Sequence, residues 1–283
     1  MSIAAWAGFQ LDRPLVMGIL NITPDSFSDG GRFLDTEDAV AAGRDMLMAG
    51  ADILDVGGES TRPGAGMVAP AEEISRIVPV IRTLSAAGAV VSADTRNAAT
   101  MDAALAAGAR IINDVSGLKH DPGSARLLSQ AGCPVVLMHM RGTPMTMSCQ
   151  AHYSDVVVDV LAELAAARDA ALAAGIAGEA IALDPGIGFA KRGEQNILLL
   201  RATARFAALG HPLLIGVSRK TFIGTFGGEP DPGRRLAGSL AAALYALSQG
   251  ANMLRVHDVA ETVQALKLWQ ALTGDAGRSA KVP

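Results

Sequence analysis

The sequence predicts an α/β protein, a (β/α)8 TIM barrel that occupies residues 1–283 as a single domain. Three observations indicate this fold. Short aliphatic runs that end in polar residues recur eight times, as expected for strands covered on both faces. Ala-rich stretches with helical spacing lie between these runs. Glycines then follow the helical stretches and precede the next strand, where a helix commonly ends in a left-handed residue.

The predicted elements alternate through most of the chain. The strands are expected at residues 15–21, 53–57, 90–94, 110–114, 135–139, 181–184, 213–217 and 253–257. The clearest helices are expected at residues 36–50, 71–88, 97–108 and 153–175. Eight strand–helix units favour closure into a barrel. A doubly wound open sheet is the alternative, but no G-x-G-x-x-G motif follows the first strand.

Composition and charge limit the classes of partner. The net charge is −4 and the mean hydropathy is positive, so the chain has no general attraction to nucleic acid or to acidic membranes. No apolar run approaches the ~18 residues that span a bilayer, and the N-terminus lacks signal-peptide features. The two cysteines, Cys133 and Cys149, have no CxxC spacing. We therefore expect a cytoplasmic protein that binds neither nucleic acid nor membranes.

Polar residues occupy the predicted strand ends. In a TIM barrel, the active site lies at the C-terminal ends of the strands. The residues there are Asn21, Glu59 to Arg62, Asp94, Asn113, Asp114, His139, Asp184, Ser218 to Lys220, Arg255 and His257. Some of them could instead cap the following helix, and Asp94 and Asp114 are the candidates for this. The set as a whole converges on one mouth, which predicts an active site.

Four of these residues are basic. Arg62, Lys220, Arg255 and His257 are expected to form a cationic rim around the mouth. A guanidinium can pair with two phosphate oxygens at once, so this rim in an acidic protein indicates an anionic substrate group. The polar loops at residues 23–31 and 59–66 are expected to cover the mouth as mobile lids.

Asp94, Asn113 and Asp184 form a second group deeper in the mouth. Two carboxylates and an amide suit a flat heterocycle with an amidine-like N–C–N edge. A metal site at these three residues is the alternative, since hard cations use carboxylate ligands. Mg²⁺ near Asn21, held through phosphate oxygens of the substrate, is the favoured metal hypothesis because Mg²⁺ keeps its waters and uses few protein ligands.

Motifs of hydrolases and metalloproteases are missing from the sequence. There is no G-x-S-x-G elbow, no H-E-x-x-H motif and no Cys/His ligand spacing. His139 ends a strand and is interpreted as a satisfied core residue or one that supports the site. The chemistry therefore has to proceed without a recognisable protein nucleophile.

Two long segments resemble the signatures of the dihydropteroate synthase family. They are MGILNITPDSFSDGG at residues 17–31 and DILDVGGESTRPGA at residues 52–65. Shorter matching pieces follow in the family's order: SADTR at 92–96, INDVSG at 112–117, MHMRGTP at 138–144, DPGIGF at 184–189, SRK at 218–220 and RVHDV at 255–259. The resemblance covers residues from about 12 to 270, and its departures, such as Arg141 and Met145, are small.

The resemblance implies a (β/α)8 barrel that condenses 6-hydroxymethyl-7,8-dihydropterin diphosphate with 4-aminobenzoate, giving 7,8-dihydropteroate and diphosphate. It implies catalytic roles for Asp94, Lys220, Arg255 and Asp29. It implies a pterin site of Asp94, Asn113, Asp184, Lys220, Met138, Phe189, Gly216 and Ser218. It implies a diphosphate site of Thr61, Arg62, Arg255 and His257, a 4-aminobenzoate pocket of Phe27, Pro63 and Thr221, and Mg²⁺ at Asn21.

The family resemblance also implies a homodimer that sulfonamides inhibit. Two rival hypotheses remain. One is a pterin-dependent methyltransferase of the same superfamily, which would need neither the lid at residues 23–31 nor the cationic rim. The other is a non-catalytic pterin-binding paralogue, which should have lost charges from the rim. Both features are present in the sequence, which favours the synthase.

Overall fold

The computed structural model describes residues 5–23, 32–62 and 64–274. A short antiparallel hairpin comes first and an eight-stranded parallel sheet follows. The strands are β1 (Ala5–Trp6), β2 (Phe9–Gln10), β3 (Leu15–Asn21), β4 (Ile53–Gly57), β5 (Val91–Asp94), β6 (Ile111–Asp114), β7 (Val135–Met138), β8 (Ile181–Asp184), β9 (Leu214–Ile215) and β10 (Met253–Val256).

The large sheet has the strand order β8-β7-β6-β5-β4-β3-β10-β9. Its two ends meet through a parallel bridge between Leu183 and Leu213. The amide of Leu183 donates to the carbonyl of Pro212 at 2.8 Å, which adds a hydrogen bond at the same place. The sheet thus closes into the predicted (β/α)8 barrel, and the open-sheet alternative is wrong.

Helices cover the outside of the barrel. They are α1 (Arg32–Met48), α2 (Pro70–Ala86), α3 (Ala98–Ala106), α4 (Ser124–Ala131), α5 (Val156–Ala173), α6 (Gly193–Arg201), α7 (Thr203–Ala207), α8 (Thr221–Gly227), α9 (Leu236–Ser248) and α10 (Val259–Thr273). Three single 3₁₀ turns lie at Met147–Gln150, Gly178–Ala180 and Pro232–Arg234. None of the helices in the described part of the chain is long and apolar enough to cross a membrane.

The predicted strands are found with small changes at their ends. The largest change is in β9, which was expected to reach residue 217 but pairs only over Leu214–Ile215. The chain bends away just beyond it, and Arg219 adopts a left-handed φ of 58°. This turn directs the residues after β9 into the mouth of the barrel, where a continued strand would not reach.

The N-terminal hairpin was not predicted. Trp6 is 2% exposed and packs with Leu15, Met17 and Ile53, which come from the beginnings of their strands. Its indole Nε1 donates to the carbonyl of Ala180 at 3.0 Å. The hairpin therefore closes the end of the barrel opposite the predicted site, so only the C-terminal mouth is available for chemistry.

Candidate active site

The strand register brings the predicted residues into one row at the mouth. Asn21 pairs with Gly57, Gly57 with Asp94, and Asp94 with Asn113 across β3, β4, β5 and β6. A Cβ on Gly57 would lie 3.7 Å from Oδ1 of Asn21 and 3.5 Å from Oδ2 of Asp94. Since Gly57 has no side chain, Asn21 and Asp94 approach each other across it.

Arg255 lies beneath this row between two carboxylates. Its Nε donates to Oδ2 of Asp55 at 2.6 Å, and its Nη2 donates to Oδ2 of Asp94 at 2.7 Å. The amide of Asn113 donates to the same Asp55 oxygen at 3.0 Å. Asp55 is fully buried. Asp55 therefore joins Arg255 to Asn113 and fixes the floor of the site.

Two carboxylate oxygens in this floor lack a partner. Oδ1 of Asp94 and Oδ1 of Asp55 are buried and accept no hydrogen bond from any residue that the structure describes. Leaving such an acceptor unpaired is costly, so a ligand that donates to it gains affinity. Burial raises the pKa of Asp94 above its usual range, and Arg255 opposes that shift.

Asp184 stands at the end of β8, on the other side of the mouth. It is buried, and its Oδ1 accepts from the amide of Gly186 at 2.7 Å. Burial raises the pKa of Asp184, while Lys220 and the Gly186 amide oppose the shift. The aspartate is thus held in one orientation beside a cation.

Lys220 lies over the loop that follows Asp184. Its ammonium donates to the carbonyl of Ile187 and stands 4.5 Å from the centre of the Phe189 ring. Burial lowers the pKa of Lys220 to about 8, with Asp184 opposing. Gly188 has a φ of +84°, and a Cβ there would lie 2.8 Å from Cδ of Lys220. Only glycine allows this close approach.

The remaining predicted pterin-site residues line the same space. A Cβ on Gly216 would lie 3.7 Å from Cβ of Arg255 and 3.9 Å from Nζ of Lys220, so the glycine leaves room beside both cations. Met138 is buried and belongs to an apolar cluster against which Phe189 packs. The site therefore combines an apolar wall with a polar floor, as a flat aromatic ligand requires.

Ser218 orients His257 at the edge of the mouth. The Ser218 hydroxyl contacts the backbone amide of His257 at 3.2 Å and its Nδ1 at 3.0 Å. Burial lowers the pKa of His257 to about 4, and Arg255, Arg219 and Arg62 add to that shift. The imidazole is therefore neutral at pH 7 before a ligand binds.

The cationic rim differs from its prediction in charge. The prediction placed Arg62, Lys220, Arg255 and His257 in a cationic rim; in the structure His257 is neutral and Arg255 is ion-paired with Asp55 and Asp94. Arg62 is exposed. Burial and the neighbouring arginines disfavour a charged His257, whereas Asp55 and Asp94 favour the charged form of Arg255.

The loop that contains Thr61 and Arg62 is attached at its base. Glu59 pairs with Arg96 through two buried contacts of 2.9 and 3.0 Å, and it accepts from the amide of Val68 at 3.1 Å. The amide of Gly64 donates to the carbonyl of Pro144 at 3.0 Å. Glu59 was placed among the strand-end polar residues, and the structure gives it this anchoring contact.

Asp114 and His139 do not line the mouth. Asp114 accepts from the amides of Ser116 and Leu118 at 2.7 and 3.1 Å, so it stabilises the turn after β6 and does not cap helix α4, whose N-cap is Gly123. Asp94 instead contacts Arg255, so it is not a cap. His139 is buried with a partner on each ring nitrogen, which confirms its interpretation as a satisfied residue.

Metal ligands are scarce around the mouth. Over residues 5–23, 32–62 and 64–274, no three His, Cys, Asp or Glu side chains are grouped so that they could hold a metal ion. The group Asp94, Asn113 and Asp184 contains only two such side chains, and Oδ2 of Asp94 already accepts from Arg255. Asn21 remains the one residue proposed as a metal ligand, through its amide oxygen.

Known proteins share this chain's sequence and fold. The pterin binding enzyme family matches residues 17–257. The dihydropteroate synthase of Neisseria meningitidis serogroup C is 49% identical over 266 residues, 93% of this chain and 94% of the relative. The chain belongs to the pterin binding enzyme family, among the dihydropteroate synthases.

Solved structures of dihydropteroate synthases have the same fold. The Xanthomonas albilineans enzyme with 4-aminobenzoic acid matches with a TM-score of 0.89 and 47% identity, covering 97% of this chain and 96% of that one. The Xanthomonas albilineans enzyme in complex with 7,8-dihydropteroate has a TM-score of 0.86 and 45% identity, with 97% and 96% covered.

Of the three residues predicted to border the 4-aminobenzoate pocket, Thr221 lies in the described part of the chain. Phe27, Asp29 and Pro63 lie outside the described residues. Thr221 is exposed and begins α8 directly after Lys220. Asp55, which the prediction omitted, had one signal in the sequence: it is the single carboxylate inside the otherwise apolar run of residues 53–57.

Proposed function

We propose that this chain catalyses the dihydropteroate synthase reaction of folate biosynthesis. In that reaction, 6-hydroxymethyl-7,8-dihydropterin diphosphate and 4-aminobenzoate give 7,8-dihydropteroate and diphosphate. The observation that supports it most strongly is the set of buried polar side chains Asp94, Asn113 and Asp184 beside Lys220 and Arg255. The relative from Xanthomonas albilineans, whose structures hold 4-aminobenzoic acid and 7,8-dihydropteroate, supports the choice of substrates.

The edge of the pterin ring is proposed to bind against Asp94, Asn113 and Asp184. Its N–C–N edge donates to the carboxylates of Asp94 and Asp184, and the Asn113 amide both donates and accepts. The unpartnered Oδ1 of Asp94 supplies one acceptor for such an edge. Lys220 reaches the ring from the opposite side, while Met138, Phe189, Gly216 and Ser218 line the cleft.

The diphosphate group is proposed to bind at the edge of the mouth. Thr61, Arg62, Arg255 and His257 hold its oxygens, with Arg62 supplying an exposed positive charge. Asn21 offers an amide oxygen, and no cluster of three acidic, His or Cys side chains lies near it among the described residues, which fits Mg²⁺ that would be held mainly by substrate and water. When bound, the cation neutralises charge on the departing diphosphate.

The chemistry then needs no protein nucleophile. The bond between the pterin methylene carbon and the diphosphate oxygen breaks, and the electron pair leaves with diphosphate. The carboxylate of Asp94 stabilises the positive charge left on the methylene and ring. The amine nitrogen of 4-aminobenzoate attacks the methylene carbon and passes a proton to diphosphate or water, which gives 7,8-dihydropteroate.

Water must be kept from the methylene cation, since it would give the alcohol instead. The loops at residues 23–31 and 59–66 are proposed to close over the site. Phe27, Pro63 and Thr221 are proposed to border the incoming aminobenzoate, and Asp29 is proposed to help order the closed lid. The base of the second loop is already attached through Glu59 and Arg96.

A coupled assay of diphosphate release tests this function. Release is expected only when the dihydropterin diphosphate, 4-aminobenzoate and Mg²⁺ are all present, and chelation of Mg²⁺ should abolish it. Asp184→Asn, which keeps the shape and removes the charge, should weaken pterin binding by about 10–100-fold because a charged acceptor is lost. Release without the amine would indicate hydrolysis and contradict the proposal.

Three further properties are proposed, the homodimer from the family resemblance and the other two from the sequence. The chain acts as a single domain over residues 1–283, it forms a homodimer, and it works in the cytoplasm. Light scattering coupled to size-exclusion chromatography tests the dimer, since a mass of one chain at working concentrations would exclude it.

A further inference from the structure

Lys191 is a buried cation behind the pterin pocket that the reaction scheme does not use. It is 8% exposed. Its Nζ lies 2.9 Å from Nδ1 of His139, 2.8 Å from the carbonyl of Phe189 and 3.2 Å from the carbonyl of His139. An ammonium has three donors, and here each has an acceptor. These contacts join the end of β7 to the loop after β8.

The loop after β8 curls tightly around this ammonium. A Cβ on Gly186 would lie 3.2 Å from Nζ of Lys191 and 2.0 Å from the carbonyl oxygen of His139, so only glycine fits there. Ala190 has a left-handed φ of 50°, which is unfavourable for a residue with a Cβ. Contacts with Lys191 therefore hold a loop shape that the backbone alone does not favour.

This loop also places the pocket's own groups. It begins at Asp184, and its Gly186 amide orients the Asp184 carboxylate. Its Ile187 carbonyl accepts from Lys220, and its Phe189 ring lies under the same ammonium. A shift of the loop would move the acceptor and the cation that are proposed to bind the pterin.

Charge links Lys191 to Asp184 as well. The charged groups that face Asp184 are Lys220, Lys191 and Arg255, and all three favour its ionised form. The groups that face Lys191 are Asp184, Lys220, Glu163 and Arg141. Burial lowers the pKa of Lys191 well below its usual range, and Lys220 and Arg141 add to this shift, whereas Asp184 and Glu163 oppose it. The three acceptors around Nζ favour the ammonium form.

Glu163 and Arg141 favour the form of His139 that accepts a hydrogen bond from Lys191. Burial and Lys191 lower the pKa of His139 to about 4, so the ring is neutral at pH 7. Its Nε2 lies 3.0 Å from Oε2 of Glu163, and Nε of Arg141 lies 3.0 Å from Oε1 of Glu163. Because Nε2 donates to the carboxylate, Nδ1 is left free to accept from the ammonium.

We propose that Lys191 is a positioning residue for the pterin site, holding the loop at residues 185–190 in place and keeping Asp184 anionic. Lys191 acts through Asp184, Phe189 and Lys220 and touches no substrate atom. The proposal rests on the proposed function, since it assumes that Asp184 accepts from the pterin edge.

The test is calorimetric titration with 6-hydroxymethylpterin between pH 5 and 9. This probe lacks diphosphate, so the edge of the mouth does not contribute. Lys191→Met should weaken binding about 10–100-fold at pH 7. Without the Lys191 charge, Asp184 ionises only at higher pH, so the acidic limb of the affinity profile should move to higher pH.

Tyr153→Phe is the matched control. The Tyr153 hydroxyl donates to the carbonyl of Ala190 at 2.9 Å, so this variant removes one bond to the same loop without removing a charge. It should weaken binding by less than about 5-fold and leave the acidic limb unmoved. Glu163→Ala is a second variant that leaves Lys191 intact but frees the His139 tautomer; it should weaken binding about 3-fold.

The outcomes separate the two proposals. If the wild-type protein does not bind the probe, the proposed function fails. If the wild type binds and Lys191→Met keeps the wild-type affinity, or loses affinity without moving the acidic limb, the role of Lys191 is overturned. If Lys191→Met does not fold, an unchanged affinity in Glu163→Ala overturns it instead.

Discussion

Arg255 illustrates how a single residue links stability and binding at this site. It lies between Asp55 and Asp94 with only 17% of its side chain exposed. Asp55→Ala should lower the free energy of unfolding by about 1–3 kcal/mol, because Arg255 keeps Asp94 but loses its other buried carboxylate partner, and the Asn113 amide loses its acceptor. Urea denaturation followed by circular dichroism measures this loss.

Asp169→Ala is the control for that prediction. Asp169 is 63% exposed and pairs with its neighbour Arg168 at 2.7 Å, so the same substitution should change stability by about 0–1 kcal/mol. A similarly small loss in Asp55→Ala would show that Arg255 does not depend on Asp55.

His257 provides a prediction about pH. The pKa of His257 is about 4 in the free site, and bound diphosphate should raise it. Between the free and bound pKa values, the complex holds more protons than the free protein, so diphosphate affinity should increase as pH falls. Calorimetry at pH 6 in buffers of different ionisation enthalpy should detect proton uptake in the wild type.

His257→Gln provides the comparison, because the ionisation of diphosphate itself is common to both proteins. The variant should take up fewer protons than the wild type, by as much as one. Equal proton uptake in the two proteins would mean that His257 stays neutral in the complex.

Individual site residues were predictable where a strand ends in a polar residue. Asn21, Asp94 and Asp184 end their strands and Asn113 stands one residue before the end of β6; the register brings Asn21, Asp94 and Asn113 into one row. Asp55 and Lys191 were missed. A strand of unknown register does not reveal that a mid-strand carboxylate points inward, and a lysine in a glycine-rich loop is usually solvated.

Among the secondary-structure elements, the β1–β2 hairpin is expected to contribute to stability and not to substrate binding. Trp6 is 2% exposed and closes the end of the barrel opposite the site. Trp6→Ala should lower the free energy of unfolding by about 3–5 kcal/mol, since a large buried side chain and its hydrogen bond to Ala180 are lost. Chemical denaturation measures the loss, and KM for both substrates should stay unchanged in the folded variant.

Trp269→Ala is the matched control on α10. Trp269 is only partly buried, so the same substitution should cost less stability than Trp6→Ala. If both variants lost the same stability, Trp6 would not be the special anchor of the hairpin. If Trp6→Ala raised KM, the hairpin would affect the site as well as the far end of the barrel.

Most elements were predictable because their signals are local. Glycines mark helix ends, as in α4, where Gly132 has a φ of 64° and stands at the C-cap. The early end of β9 and the N-terminal hairpin were not predictable. Both depend on contacts with residues distant in sequence: Trp6 with the bottom of the barrel, and Arg219 with Asp258, which follows the neighbouring strand β10.

At the scale of the whole molecule, residues from separate loops are proposed to form one amine site. Phe27, Pro63 and Thr221 come from three parts of the chain, and a sulfonamide resembles 4-aminobenzoate in its aryl amine. Sulfonamide inhibition should therefore be competitive with 4-aminobenzoate in steady-state kinetics. A purely noncompetitive pattern would place the inhibitor elsewhere.

By itself, the sequence determined the barrel, the direction of its mouth, the Asp–Asn–Asp group and the family resemblance. These follow from periodicity and from short motifs that can be read along the chain. Tertiary structure alone decided the charge state of the rim, the pairing of Arg255 with Asp55 and Asp94, and the surroundings of Lys191. The reason is that burial and electrostatic coupling depend on distances between strands and loops far apart in sequence.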